Sequence, residues 1–419
     1  MLIHSAVQLL TIKGSPQRGD RMGDLGIIQN GAVMIDDGQI VDVGESELLI
    51  NKYPDEHKVD ASNRVVIPGF VDPHTHLLWA DDRAAEFKMR LEGKTYLEIL
   101  ASGGGILSTV EATRSAPVDE LIAQTRPRIN TMFDHGTTTV EIKTGYGLDD
   151  ESELKMLAAI MSLGNDVPMD VVPTYLGAHA IPSEYKNDPE GYTAHLCTEM
   201  LPSLKRWWQA NAPDQRLPYV DVFCERGAFN LTQSRRILET ARNLGFDLKI
   251  HADEFDNLGG ARLAAELGAV SADHLVTTSL EDIRTLAESD TVAVALPCTP
   301  FGLAETQYTP AADILAAGGL LALATDTNPG TAWCESMQFA IALACRYMRL
   351  TPAQAIVAST INSAAAVGLA DKIGSIEIGK QADIVLLDIP EYNHLGYRFG
   401  TNLVHSVIKR GRLYPVKGS

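Results

Sequence analysis

Apolar and polar residues alternate at both ends of the chain, whereas its middle repeats short apolar runs followed by helical periodicity. The opening Met1-Leu2-Ile3-His4-Ser5-Ala6-Val7-Gln8-Leu9-Leu10 reads as a strand. Runs at 33–35 and 40–43 flank Asp37-Gly38, a dipeptide that tolerates the positive φ values of a tight hairpin turn. Near the other end, apolar stretches at 373–379 and 382–388 with turn glycines between them are expected as strands. The two ends, 1–65 and 369–419, are therefore predicted to build one small composite β-sandwich domain.

Residues 66–368 follow a different rule: buried strand, amphipathic helix, and again buried strand, the signature of a parallel sheet with crossover helices. Strands are expected to end at His76, near Lys143, at His179, near Glu225, at His251, at His274, near Pro297 and at Asp326. That is the number a closed (β/α)8 barrel requires, so the fold class is α/β, a TIM-like barrel. Helices are expected at 151–163 behind the acidic pair Asp149-Asp150, at 232–244 with Thr232 as N-cap, and at 258–267 with Gly268 as C-cap. The segment from His76 to Gly136 is long for one crossover, and its Gly103-Gly104-Gly105 lacks the lysine of a phosphate-binding loop, so it reads as a hinge or tight turn.

Composition narrows the partners. With 419 residues, 45% hydrophobic and 21% charged, the chain can bury one large core and a smaller one. A net charge of −19 repels nucleic acid and anionic lipid, so an acidic substrate has to be met by local positive groups. Cys197, Cys224, Cys298, Cys334 and Cys345 form no Cys-x-x-Cys pair, which suits buried thiols in a reducing compartment. The first residues lack a basic leader, and no apolar segment reaches the roughly 20 residues of a membrane span, so a cytoplasmic protein is expected.

The chemistry lies where each apolar run ends, because barrel strands carry function at their carboxyl ends. Val66-Ile67-Pro68-Gly69-Phe70-Val71-Asp72-Pro73 leads into His74-Thr75-His76, and imidazoles at i and i+2 of an extended chain point the same way. Later runs end in His251, His274 and Asp326. A mononuclear catalytic site needs three or four protein ligands and an open position, and His74, His76, His251 and Asp326 supply that set. A metal lowers the pKa of its bound water toward neutrality, and Asp326 at its edge is suited to take the proton. His274 is left to polarise the carbonyl under attack or to hold the hydroxide. A dinuclear site would want a bridging carboxylated lysine; Lys143 and Lys249 are the strand lysines near carboxyl ends, and the strand ending at His179 has none, so one ion is expected.

These residues resemble the amidohydrolase superfamily over essentially the whole chain. More closely, the chain is similar to the imidazolonepropionase family, through Asp82-Arg83-Ala84-Ala85-Glu86-Phe87, Glu141-Ile142-Lys143-Thr144-Gly145-Tyr146-Gly147, Tyr175-Leu176-Gly177-Ala178-His179-Ala180-Ile181-Pro182, and Ala324-Thr325-Asp326-Thr327-Asn328-Pro329-Gly330-Thr331. The segments 103–110 and 221–225 extend the match in order. The resemblance implies hydrolysis of the cyclic amide of 4-imidazolone-5-propanoate, one zinc or iron ion per subunit held by His74, His76, His251 and Asp326, and a homodimer. It also implies substrate contacts at Arg83, Tyr146, His179, Glu254, Asn328, Gly330 and Thr331. Arg83 can grip a carboxylate with two parallel hydrogen bonds, and Glu254 can serve ring nitrogens and proton transfer. Asp253 and Glu225 are read either as groups that orient ligands or as solvated loop carboxylates. Glu254 lies three residues after His251, a spacing shared with deaminases of nucleobase-like heterocycles. That activity stays open as an alternative, as does a non-catalytic scaffold of the same fold.

Overall fold

The computed structural model describes residues 1–94 and 104–416, so Gly103 of the triple glycine lies outside the described residues. The first strands are β1 (Leu2–Leu10), β2 (Ile27–Asp36), β3 (Gln39–Glu45), β4 (Lys58–Asp60) and β5 (Val65–Pro68). They are followed by β6 (Phe70–Asp72), β7 (Thr137–Lys143), β8 (Asp170–Ala178), β9 (Tyr219–Cys224), β10 (Lys249–Ala252), β11 (Ser271–His274), β12 (Val292–Ala295) and β13 (Leu321–Leu323). The last are β14 (Ile384–Leu387), β15 (Val404–Lys409) and β16 (Arg412–Pro415). β6 to β13 pair in sequence order as one parallel eight-stranded sheet, and the remaining strands form a mixed sheet in the order β16-β15-β14-β5-β1-β2-β3, with β4 on β1. The (β/α)8 expectation holds.

Asp37 and Gly38 take φ of 45° and 76° at the β2–β3 turn, the double positive φ that the hairpin requires. Ile3, Val33 and Ile35 from the early strands cluster with Ile384, Leu386 and Ile408 from the late ones, so the chain's two ends share a core. The expected strand at 373–379 does not form. Gly374 and Gly379 turn the chain with φ of 85° and 89°, and this stretch only touches the sheet, through Ile376 N–H to Thr11 and Gly379 N–H to Ile40.

The barrel helices follow their caps. The helix Asp150–Asp166 starts behind Asp149, whose carboxylate accepts from the Ser152 N–H. Thr232 is not the N-cap of the next predicted helix: Leu231–Asn243 is capped by Asn230, which forms a reciprocal capping box with Gln233 and leaves Thr232 inside the first turn. The third begins at Gly260 rather than 258, because Gly259 is left-handed, and it ends as expected at Gly268 with φ of 67°. The long crossover after His76 carries the helices Ala84–Leu91, Ile106–Ser115 and Val118–Asp134. Trp208 is fully buried and Trp207 packs against the same core.

Two strand ends carry the barrel's closure. β6 and β13 stop short of the expected His76 and Asp326, but ladder-like bonds continue past both: Asp326 N–H to the His74 carbonyl at 3.1 Å and His76 N–H to the Thr327 carbonyl at 2.9 Å. Asp72 strengthens the seam, accepting from the Thr325 N–H at 3.1 Å and the Thr325 hydroxyl at 2.6 Å with both residues fully buried. Lys249 donates to the Pro73 carbonyl at 3.1 Å.

Thr325→Val keeps the shape but leaves an Asp72 oxygen buried without its donor. It is expected to lower unfolding free energy by about 1–3 kcal/mol in urea titrations. An unchanged midpoint and slope would show that the seam does not depend on this contact.

Candidate active site

The seam places His74, His76 and Asp326 in one buried group, and β10 and β11 bring His251 and His274 beside them. Nε2 of His74 and Nε2 of His76 each lie 3.5 Å from Asp326 Oδ1, and Nε2 of His251 lies 3.2 Å from Nε2 of His76. His74, His76 and Asp326 form one group whose ligand atoms could hold a metal ion; His74, His251 and His274 form a second. His74 belongs to both. His74 Nε2 and Asp326 Oδ1 are buried without a hydrogen-bond partner, an arrangement that costs free energy unless something positive sits between them. Burial pushes the imidazoles of His74, His76 and His274 far below their usual range, so the lone pairs of the neutral rings are free to ligate. The donor set therefore fits a divalent cation.

The histidines are aimed from behind. His74 Nδ1 is hydrogen-bonded to Asp273 Oδ2 at 2.6 Å, and His251 Nδ1 faces Asp221 Oδ2 at 3.0 Å as a charge contact without hydrogen-bond geometry; both contacts lie on the Nδ1 side of the rings. Neither aspartate stood out from the chain's pattern. The usable signal was an acid inside an apolar strand, as in Tyr219-Val220-Asp221-Val222. Asp253 and Glu225 do something else. Asp253 accepts from the N–H groups of Leu258 and Gly260 and from the Thr278 hydroxyl, while Glu225 accepts from Phe255 and Asp256 N–H. Both are buried groups that shape the loop beyond β10, and neither is solvated.

Asp326 is held by the Thr299 hydroxyl through its second oxygen, and burial pushes its carboxyl up to about 6. Its backbone φ is 55°, and Asp253, His274 and Leu275 also have positive φ, at 53°, 76° and 60°. Such conformations cost on the order of 1–3 kcal/mol each and gather where function needs an unusual side-chain direction. Glu254 lies 3.6 Å from His274, and burial, followed by the charges of Asp326 and Glu225, pushes its carboxyl well above the usual range. Glu254 and His274 line a cavity of about 230 Å³ together with Val276, Thr299 and Leu303.

On the other side, Arg83, Gly330 and Thr331 line a cavity of about 440 Å³ with Phe87 and Arg90. Arg83 donates to Glu86 through Nε at 3.0 Å and Nη2 at 2.7 Å, and a β-carbon at position 330 would collide with its Nη1. Gly330 thus lets the guanidinium approach the loop. Asn328 is committed to that loop: its carbonyl oxygen accepts from Gly330 and Thr331 N–H, and its amide donates to the Asp326 carbonyl. His179 stacks on His76 at 4.7 Å, with Nδ1 2.9 Å from the Gly145 carbonyl, and burial pushes it down to about 3. Tyr146 is buried 5.4 Å from that ring. Lys143, weighed as a bridge, instead lies 2.7 Å from Glu141 and 2.8 Å from Asp221.

Among known proteins, a profile of the Amidohydrolase family matches residues 233–414. A protein named imidazolonepropionase from Herpetosiphon aurantiacus is 52% identical over 412 residues, covering 98% of this chain and 96% of its own length. Another of that name from Symbiobacterium thermophilum is 48% identical over 421 residues, covering 100% and 98%. A solved adenosine deaminase from Xanthomonas campestris with bound zinc superimposes at a TM-score of 0.71 with 21% identity, over 99% of this chain and 93% of its own. At that identity the likeness is one of fold. Among the described residues no helix is long and apolar enough to cross a membrane.

His74→Ala removes the ligand common to both groups. Zinc affinity of the full-length protein, measured by chelator competition, is expected to fall by at least about 100-fold; retention of wild-type affinity would place the ion elsewhere.

Proposed function

This chain belongs to the imidazolonepropionase family of amidohydrolases, and from that premise we propose how its residues hydrolyse 4-imidazolone-5-propanoate to N-formimidoyl-L-glutamate, a step of histidine degradation. The observation that carries the reading is the convergence of the His74 and His76 Nε2 atoms on an unpartnered Asp326 oxygen at the carboxyl end of a barrel. His74, His76, His251 and Asp326 would hold one zinc or iron ion, since imidazole and carboxylate suit both. Such an ion supplies Lewis acidity and brings water at its open position toward ionisation at neutral pH. Lys143 is engaged by carboxylates, which speaks against a bridging carbamate and for a single ion.

Asp326 takes the proton of the attacking water, with the Thr299 hydroxyl fixing its other oxygen. Water oxygen bonds to the ring carbonyl carbon, and His274, neutral and unpartnered at Nδ1, donates to the developing oxyanion. The carbon–nitrogen bond then breaks, and the proton held by Asp326 goes to the departing amidine nitrogen. Glu254, whose carboxyl burial pushes well above the usual range, serves the ring nitrogens across the cavity it shares with His274. Tyr146 and His179 pack against the ring. Arg83, in the cavity that Gly330 and Thr331 also line, receives the propionate, the local positive group that a chain of net charge −19 needs. A cytoplasmic homodimer belongs to the same reading and rests on the family resemblance.

Purified protein with its metal content quantified is expected to consume 4-imidazolone-5-propanoate. Ammonia release from an aminated heterocycle with the imidazolone untouched would overturn the reading in favour of a deaminase. Asp326→Asn should abolish turnover while metal remains bound, and wild-type rates there would remove the proposed base. Arg83→Ala should raise KM by roughly 10–100-fold with a smaller change in kcat, matching the loss of charge-assisted hydrogen bonds of about 1.5–3 kcal/mol.

A further inference from the structure

Lys143 is a fully buried cation that the proposed reaction does not use. Its ammonium lies 2.7 Å from Glu141 Oε1, 2.8 Å from Asp221 Oδ2 and 3.8 Å from Asp273 Oδ2, all with fully buried side chains. These are side chains of β7, β9 and β11, alternate strands that contribute to one interior layer of a barrel. The same two aspartate oxygens that face Lys143 also face Nδ1 of His251 and Nδ1 of His74. The backbone of β7 acts on the remaining histidine. Lys143 N–H donates to the Thr75 carbonyl at 3.0 Å, and Glu141 accepts from Thr75 N–H at 3.2 Å and from its hydroxyl, through the Glu141 carbonyl, at 2.6 Å. Thr75 is the residue between His74 and His76.

We propose that Lys143 is the positioning residue of the metal centre: it fixes Asp221 and Asp273 so that His251 and His74 are held as Nδ1–H tautomers with bare Nε2 atoms. The proposal rests on the reading of His74, His76, His251 and Asp326 as metal ligands. Charge alone makes the opposite forecast. A buried ammonium repels a nearby cation, so if Lys143 acted only through its charge, removing it would tighten metal binding. If it acts by positioning, removal loosens binding, because Asp221 and Asp273 lose the group that keeps them at the backs of the two imidazoles. A purely structural role, neutralising three buried carboxylates, would lower folding stability and leave the affinity of the folded protein unchanged.

The test uses full-length protein stripped of metal. Zinc affinity is measured by chelator competition for wild type, Lys143→Met and the double variant Glu141→Gln/Lys143→Met, which removes one charge of each sign and leaves both aspartates. Both variants are expected to bind zinc about 10–100-fold more weakly. Affinity within twofold of wild type, or tighter, in a variant with a native far-ultraviolet circular dichroism spectrum overturns the proposal. Nitrogen-15 spectra of histidine-labelled, metal-free wild type give an answer that does not depend on the variants folding. His74 and His251 should carry the proton on Nδ1, and a proton on Nε2 of either overturns the proposal. Wild type that binds no zinc would instead sink the metal-site reading, with the tautomers still deciding the part played by Asp221 and Asp273.

Discussion

Closure of the barrel between its first and last strands is the constraint on which the rest depends. Asp72 and Lys249 hold the chain just before His74, through the Asp72 side chain and the Pro73 carbonyl, while Asp326 and Thr327 bond to the backbone of His74 and His76. Proline cannot donate a backbone hydrogen bond, and the Lys249 ammonium engages the one backbone hydrogen-bonding group it keeps, its carbonyl. Because the bonds that close the barrel are made by the residues that converge on the site, geometry and stability cannot be tuned separately there. Moving a histidine means opening the seam.

Barrel interiors are usually filled by branched apolar side chains. Here β7 presents Val140 and Ile142 to the apolar core but directs Glu141 and Lys143 into a charged layer with Asp221 and Asp273. Burying such charges is unfavourable unless each is paired; here each carboxylate has Lys143 within ion-pair distance, and Asp221 and Asp273 also face the histidines. Positive φ at Asp253, His274 and Asp326 adds local strain at the same end. The apolar clusters behind the strands, with the helices packed on them, hold the backbone in conformations it would not choose alone.

Much of this was legible in the chain. Eight barrel strands were visible because apolar run, turn and amphipathic helix are local patterns, and the ligand-type residues stood out as polar endings to apolar runs. The misplaced N-cap at Thr232 and the absent strand at 373–379 have a common cause. Asn230 and Gln233 offered a better reciprocal cap three residues apart, and Gly374 and Gly379 offered turns where apolar content suggested extension. Local composition admitted both answers.

The sequence by itself determined which residues could ligate and at which strand ends they would stand, since period and run length act over a few positions. Tertiary structure alone decided how those residues are used. Asp273 meets His74 from 199 residues away, Asn328 turns its amide onto its own loop, and Lys143 joins acids from three strands. Pairing of buried charges depends on which side chains closure brings together, and no local pattern encodes that distance.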